Sequence, residues 1–325
     1  MINLYNQVQP NIYRIGIPLP NNPLKELNSY VIKGQDRYLI IDTGMNRPEC
    51  QEVMEQALKE LTIPLGKTDF FITHMHSDHT GLVGTLATDT SKIYCSQPDA
   101  EIIMSPELGG DLLLEGARRH GFPENELQYV LGRHPGFKYA PKGIKAIDYV
   151  EDGDIITIGD YRFVCVATPG HTRGHMCLYE PDKKLFIGGD HLLDDITSNI
   201  SLFLSGNPLA DYLENLEKVS HLDIKVVLTG HRKLIYDVQK RVDELKEHHQ
   251  IRAEEILGIL QKGSATAYQV ATQMSWDIDC ANWDQFPTPQ KWFATGEAIA
   301  HLRYLEVLGK VRKDKADNLY IYVLT

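Results

Sequence analysis

The segment FFITHMHSDHTG, residues 70–81, sets three histidines and an aspartate within six consecutive positions directly after an apolar run. Ser, Asp, Thr and Gly are ordinary turn residues, so a polar turn is the plain alternative. The spacing argues for more. In extended backbone side chains alternate, so His74 and His76 face one side while Met75 faces the other, and two imidazoles meet at one point. The turn chemistry of Ser77, Thr80 and Gly81 then swings Asp78 and His79 toward a neighbouring point. Neutral imidazole and carboxylate are the ligands of zinc and similar divalent ions, and a catalytic site leaves one position for water or substrate.

Four more segments repeat one form, a short apolar run followed by a polar tip that carries a ligand-type residue. They are LIIDTG with Asp42, VATPGHTRGH with His171 and His175, LFIGGDH with Asp190 and His191, and VVLTGHR with His231. A lone Asp or His after a strand is usually a cap or a surface residue. Four such tips beside HMHSDH make a constellation.

These motifs, in this order, resemble the metallo-β-lactamase superfamily, whose hydrolases carry THxHxDH, then a TPGHT-like His, a GD-type Asp and a GH-type His. The resemblance covers residues 10–235. It implies an α/β fold, an αββα sandwich with two metal ions at one edge of its sheets. By motif, His74, His76 and His171 would hold the first ion, Asp78, His79 and His231 the second, and Asp190 would bridge them. Asp42 would orient ligands from behind, with His175 and His191 in the same supporting layer or purely structural. Zinc is the expected metal, with iron and manganese as alternatives. Oxygen-reducing di-iron relatives have Glu where this chain has His76, so the resemblance favours hydrolysis, by a metal-bridged hydroxide with Asp78 steering it.

The elements that must position these residues follow from pattern. Strands are expected at residues 12–18, 29–33, 38–42, 70–73, 92–95, 161–167, 176–179, 184–187 and 225–228, with helices at 48–61 and 210–220, a mixed α/β alternation. Residues 97–143 interrupt it with helical pieces (98–104, 111–120 and 124–131) and read as an insert, either a lid or a surface elaboration. His120, His134 and Tyr139 lie in it as weak site candidates, and Leu112, Leu113 and Leu114 as apolar candidates to cover a substrate.

From about residue 234 a long helix is expected to link a catalytic unit, 1–250, to a tail, 251–325. Helical segments at 264–274 and 291–308, the second closed by Gly309, precede a hairpin around KDKADN, and together they describe a winged helix-turn-helix. One branch of the superfamily carries a similar tail. Trp276, Trp283, Phe286 and Trp292 read as core or interface rather than base-stacking residues.

Composition bounds the function. At 325 residues two domains fit, and 42% hydrophobic with 24% charged residues excludes a disordered or fibrous chain. The net charge of −11 disfavours generic affinity for nucleic acid. The tail has eight Lys or Arg, Lys310, Arg312, Lys313 and Lys315 among them, against nine Asp or Glu, including Glu297 and Glu306 in the candidate recognition helix. Five scattered cysteines without CxxC, no signal-peptide pattern and no apolar span fit a cytoplasmic protein without membrane attachment. The expected function is hydrolysis of a small acyl substrate, an ester or thioester, with Asn199 as a candidate to orient its oxygen. The alternatives are a phosphodiesterase or endoribonuclease guided by the wing, and a ligand-sensing binding protein or regulator. A homodimer through the tail is the counterpart to nucleic-acid binding.

Overall fold

The computed structural model describes residues 4–105, 107–131, 135–200, 206–278 and 280–325. Four antiparallel strands open the chain: β1 (Tyr5–Gln9), β2 (Ile12–Pro18), β3 (Glu26–Lys33) and β4 (Tyr38–Ile41). Helix α1 (Pro48–Glu60) returns the chain so that β5 (Thr68–Phe71) pairs parallel to β4. Two short helices, α2 (Ser77–Thr80) and α3 (Val83–Leu86), lead to β6 (Ile93–Cys95), parallel to β5. Helices α4 (Gln97–Met104), α5 (Glu107–Arg119), α6 (Glu124–Leu131) and α7 (Pro135–Lys138) precede the edge strand β7 (Asp148–Tyr149). The first sheet runs in spatial order β1 to β7.

The second sheet contains β8 (Ile155–Ile158), β9 (Tyr161–Ala167), β10 (Met176–Glu180) and β11 (Leu185–Gly189). Helix α8 (Pro208–Ser220) crosses back to β12 (Val226–Thr229), parallel to β11, and the order is β12-β11-β10-β9-β8. The tail holds α9 (Val238–Leu260), α10 (Ala267–Ala271), α11 (Thr288–Val307) and the hairpin β13 (Val311–Ala316) and β14 (Leu319–Leu324).

Alternation along the strands builds the layers. Leu39, Ile41, Phe71, Leu178, Ile187 and Leu228 fill the space between the sheets, while Ile40 and Phe70 point outward to Met54 and Leu58 of α1. Phe186 and Val227 point outward from the second sheet to Leu216 of α8 and Val242 of α9. Central strands are therefore apolar on both faces, which is why LII, VVL and LFI read as runs rather than alternations. The layers are helix, sheet, sheet, helix.

Several boundaries differ from the sequence expectation for local reasons. Strand β4 ends before Asp42, whose φ of +56° turns the chain out of the sheet. The long helix begins at Val238 rather than near 234, because Ile235 exchanges backbone hydrogen bonds with Val227 and Asp237 caps the helix by accepting from Lys240 N. Helix α10 is shorter than 264–274, since Thr266 and Gln269 close a capping box around its start. Asp317 and Asn318, both at positive φ, make the tight turn between β13 and β14.

The insert divides between two neighbours. Leu114, Ala117, Phe122, Leu127 and Val130 form a small core against Tyr268 and Trp292 of the tail, and Lys291 Nζ on α11 meets Glu126 Oε1 on α6 at 2.9 Å. At the other end α7 packs on α2, and Arg47 lies 4.9 Å over the Tyr139 ring. Leu114 thus sits in the insert's own core, not on a wall beside the ligand residues, and the side chain of Leu112 lies outside the described ones. His120 is buried against Tyr320 and Tyr322 of the hairpin, remote from the ligand cluster, and His134 lies outside the described residues. Phe286 is core, and Trp276 and Trp283 pack against the same cluster. Among the described residues no helix is long and apolar enough to cross a membrane, and all five cysteines are free thiols.

Candidate metal centre

The ligand-type residues all follow the ends of β4, β5, β9, β11 and β12, at one rim of the two sheets. After β5 the chain bends at Thr73–Met75, is extended again at His76, with φ −64° and ψ 144°, and then enters α2, which lifts Asp78 and His79 onto a second level. His74 Nε2 lies 3.0 Å from His76 Nδ1 and 3.2 Å from His171 Nε2, and the latter two are 3.0 Å apart. Three ring nitrogens cannot satisfy one another as donors and acceptors in a triangle. A tetrahedral cation about 2.0–2.1 Å from each would separate them by about 3.3 Å.

Beside this triangle His231 Nε2 is 3.4 Å from Asp78 Oδ2 and 3.6 Å from Asp190 Oδ1. His79 Nε2 is 3.5 Å from that Asp190 oxygen and 3.9 Å from Asp78 Oδ2. The other Asp190 oxygen, Oδ2, faces His171 Nε2 at 3.7 Å. His79 Nε2, His231 Nε2 and Asp190 Oδ1 are buried and lack hydrogen-bond partners among the described residues. Native proteins pair such atoms or fill the space between them, so this donor set fits divalent cations. The groups His74–His76–His171, His74–His79–Asp190 and Asp78–His79–His231 each gather three ligand atoms.

The nitrogens facing away from these points are anchored. His79 Nδ1 meets Asp42 Oδ2 at 2.7 Å, His231 Nδ1 donates to Glu26 O at 2.8 Å, and His171 Nδ1 donates to Asn199 O at 2.6 Å. Each anchor fixes which nitrogen carries the proton and leaves Nε2 for the cation. Asp42 also accepts from Thr73 N and Thr73 Oγ1, at 2.9 and 2.8 Å, which ties the end of β4 to the start of the histidine loop. His175 accepts from Asp190 N at 3.1 Å and bonds Thr168 Oγ1 at 2.8 Å, so it orients Asp190 through its backbone. His191 instead lies edge-on to Tyr212, with ring centres 5.3 Å apart. Asn199 contributes its carbonyl to His171, a different role from the substrate contact expected of its side chain.

Glycine is required where backbone runs against this cluster. A Cβ at Gly230 would lie 2.4 Å from Asp190 Oδ1, and Gly189, at φ +48°, would place one 2.8 Å from His175 Nε2.

The charges sort by surroundings. Burial, aided by the neighbouring imidazoles, pushes His74 well below the usual histidine range and His76 down to about 3. Burial also lowers His171, against the pull of Asp190. These rings are neutral at pH 7, the form that ligates. Burial opposes protonation of His79 as well, but Asp42, Asp190 and Asp78 outweigh it and raise the ring well above the usual range. His231 is raised in the same way by Asp190 and Asp78 against burial. Burial likewise works against ionised Asp78 and Asp190, yet the adjacent imidazoles hold both carboxyls below the usual range. This is a pocket of negative charge calling for positive charge.

One residue escaped the sequence reading. Asp99, on α4 and fully buried, accepts from Met75 N at 2.9 Å, Thr172 Oγ1 at 2.6 Å and Gly174 N at 2.7 Å, so one carboxylate clamps both histidine loops. Burial raises its carboxyl to about 6 despite these donors. An acidic residue in the first turn of a helix reads as a capping feature, and only the packing of α4 against the 171–175 loop reveals its partners. Asp99→Ala is expected to cost at least about 3 kcal/mol of stability, since it orphans three donors at about 1–3 kcal/mol each. Urea unfolding of the metal-free protein checks this, and a change within error of zero would remove Asp99 from this role.

Imidazole nitrogens and carboxylate oxygens turned toward one another at the rim of a helix–sheet–sheet–helix sandwich define a metal-binding hydrolase. Residues 25–231 match the family described as the metallo-beta-lactamase superfamily, and the chain belongs to it. It is 25% identical over 284 residues to the probable metallo-hydrolase YqjP of Bacillus subtilis, covering 81% of this chain and 85% of that protein. It is also 25% identical over 236 residues to an atrochrysone carboxyl ACP thioesterase of Emericella nidulans, covering 73% of this chain and 60% of that one. The crystal structure of a metallo-beta-lactamase family protein from Thermus thermophilus superimposes with a TM-score of 0.83 at 27% identity, over 98% of this chain and 100% of that chain.

Proposed function

We propose that this chain is a dinuclear metal-dependent hydrolase acting on a small acyl thioester or ester. The observation that carries the reading is Asp190, whose two oxygens face two separate groups of ligand atoms. His74, His76 and His171 would hold one cation, Asp78, His79 and His231 the other, and Asp190 both. Zinc suits this nitrogen-rich set, with iron or manganese as alternatives. Bound cations would supply a nucleophile from water near neutral pH and polarise the acyl carbonyl. Asp78 is the most open of the three site carboxylates, with 14% of its side chain exposed against 9% for Asp190 and 3% for Asp42. That exposure supports a role for Asp78 in steering the attacking water as a hydrogen-bond acceptor, while Asp42 and His175 hold the ligands still.

The thioesterase named among the relatives supports the acyl substrate. The tail, residues 251–325, is read as a winged helix behind a catalytic unit of residues 1–250, and its surroundings speak against a nucleic-acid role. Helix α11, the recognition helix of such a module, packs against α6, α8, α9 and α10, and it buries Lys291, Ala294, Ala298, His301 and Leu305. A recognition helix needs a free face to enter a groove, and this covering supports the reading without nucleic acid. The tail's place is to join the insert to the outer helical layer, in a cytoplasmic enzyme.

The test is a side-by-side assay of thioesters, lactones, phosphodiesters and single-stranded RNA, using metal-replete protein of measured metal content and an Asp78→Ala control. Thioester or ester turnover well above that control, with little RNA cleavage, is expected. RNA cleavage without acyl hydrolysis above the control would put the nuclease reading first.

A further inference from the structure

The stretch from Leu192 to Ile200, between Asp190 and the rest of the outer layer, has no helix or strand of its own. Its carbonyls therefore need partners outside the regular ladders. Arg241, in the first turn of α9 and with 13% of its side chain exposed, supplies them: Nε donates to Leu193 O at 2.6 Å and Nη2 to Ile196 O at 2.7 Å, while Nη1 meets Glu244 Oε2 at 3.0 Å. The planar fork holds two donors at a fixed spacing toward the two carbonyls, whereas a lysine offers one rotatable ammonium on a flexible stem. Further along the strap Ser198 Oγ donates to Asp190 O, and Asn199 O receives the Nδ1 proton of His171. Ile200, the last described residue of this stretch, is buried.

We propose that Arg241 is a positioning residue that sets the orientation of His171 through this strap, so that helix α9 selectively controls cation affinity at the His74–His76–His171 triangle. The selectivity follows from the anchors. His231 is held by Glu26 O on β3 and His79 by Asp42 just past β4, neither of them in the strap, although Asp195 of the strap lies 3.6 Å from Nε of Arg232, the neighbour of His231. Loosening the strap acts on the His171 ring directly, through Asn199 O, and reaches Asp190 only at its backbone carbonyl, through Ser198, while Asp190 N stays on His175. The inference rests on His171 being a ligand, and the experiment separates the two claims.

The measurement is calorimetric titration of metal-free full-length protein with zinc, the binding phases being assigned with His76→Ala, which removes a ligand from the triangle alone. Arg241→Ala is expected to weaken the triangle's phase about tenfold, the lower end of the range for groups that support a ligand from behind, and to weaken the other phase clearly less. Arg241→Lys keeps the charge without the fork and is expected to weaken the same phase, which keeps the test available where the alanine variant fails to fold. Lys246→Ala, which removes the ion pair of α9 with Glu217 on α8 and leaves the strap untouched, is expected to change neither phase. Equal loss in both phases, or no loss, overturns the proposal. A His76→Ala protein that keeps both phases overturns the ligand reading as well.

Discussion

Asp190→Asn is expected to lower kcat/KM by about a thousandfold, roughly 4 kcal/mol at about 1.36 kcal/mol per decade, and to weaken both cation sites together. Asparagine matches aspartate in shape, so the backbone anchors to His175 and Ser198 persist and the fold survives. Its side chain, however, offers one acceptor oxygen and one NH2. Whichever way it turns, a donor faces either His79 and His231 or His171, where the structure requires an acceptor. Metal content and turnover measured on the same preparation check this. A variant that keeps two equivalents of metal and full activity would show that Asp190 is not shared.

What the sequence made legible here was whatever depends on short-range order. IYRIGIP and YRFVCVA carry their own strand pattern, and β2 and β9 begin and end where it does. The histidine loop was legible because its ligand-type residues lie within six positions, although the chain bends at Thr73–Met75 rather than running on as the extended segment expected. Asp99 was not, since its partners Met75, Thr172 and Gly174 are 24 to 75 positions away and nothing local distinguishes it from a helix cap. The strap was hidden for the same reason: Arg241 lies 45 and 48 residues from the carbonyls it holds. Leu114 shows the converse error. Its apolar character was read correctly, but the partner was Tyr268 and Trp292 of the tail rather than a substrate, because apolar surface is non-directional and is covered by whatever the topology brings nearest.

The second large effect concerns Asp42, where fold and chemistry separate by choice of substitution. Asp42→Ala leaves Thr73 N, the Thr73 hydroxyl and His79 without their buried acceptor and puts a β-carbon without a polar tip at φ +56°. Breaking a buried charge pair costs about 3–5 kcal/mol, and strained backbone adds about 1 kcal/mol. The variant should therefore unfold at markedly lower urea, or fail to accumulate. Asp42→Asn behaves differently. Asparagine tolerates the left-handed region and its oxygen keeps the bond from Thr73 N, so a loss of about 1–2 kcal/mol is expected for the hydrogen bonds that weaken. Its NH2 then points at His79 Nδ1. To accept that proton the imidazole must carry its own on Nε2, the nitrogen turned toward Asp78 and Asp190, and a protonated nitrogen cannot ligate. Asp42→Asn is thus expected to fold while weakening the Asp78–His79–His231 cation at least about tenfold and sparing the His74–His76–His171 triangle. Urea unfolding and zinc titration of both variants decide the matter. If the asparagine protein binds two cations as tightly as the parent, the proton on His79 is not set by Asp42, and the carboxylate is there for the fold alone.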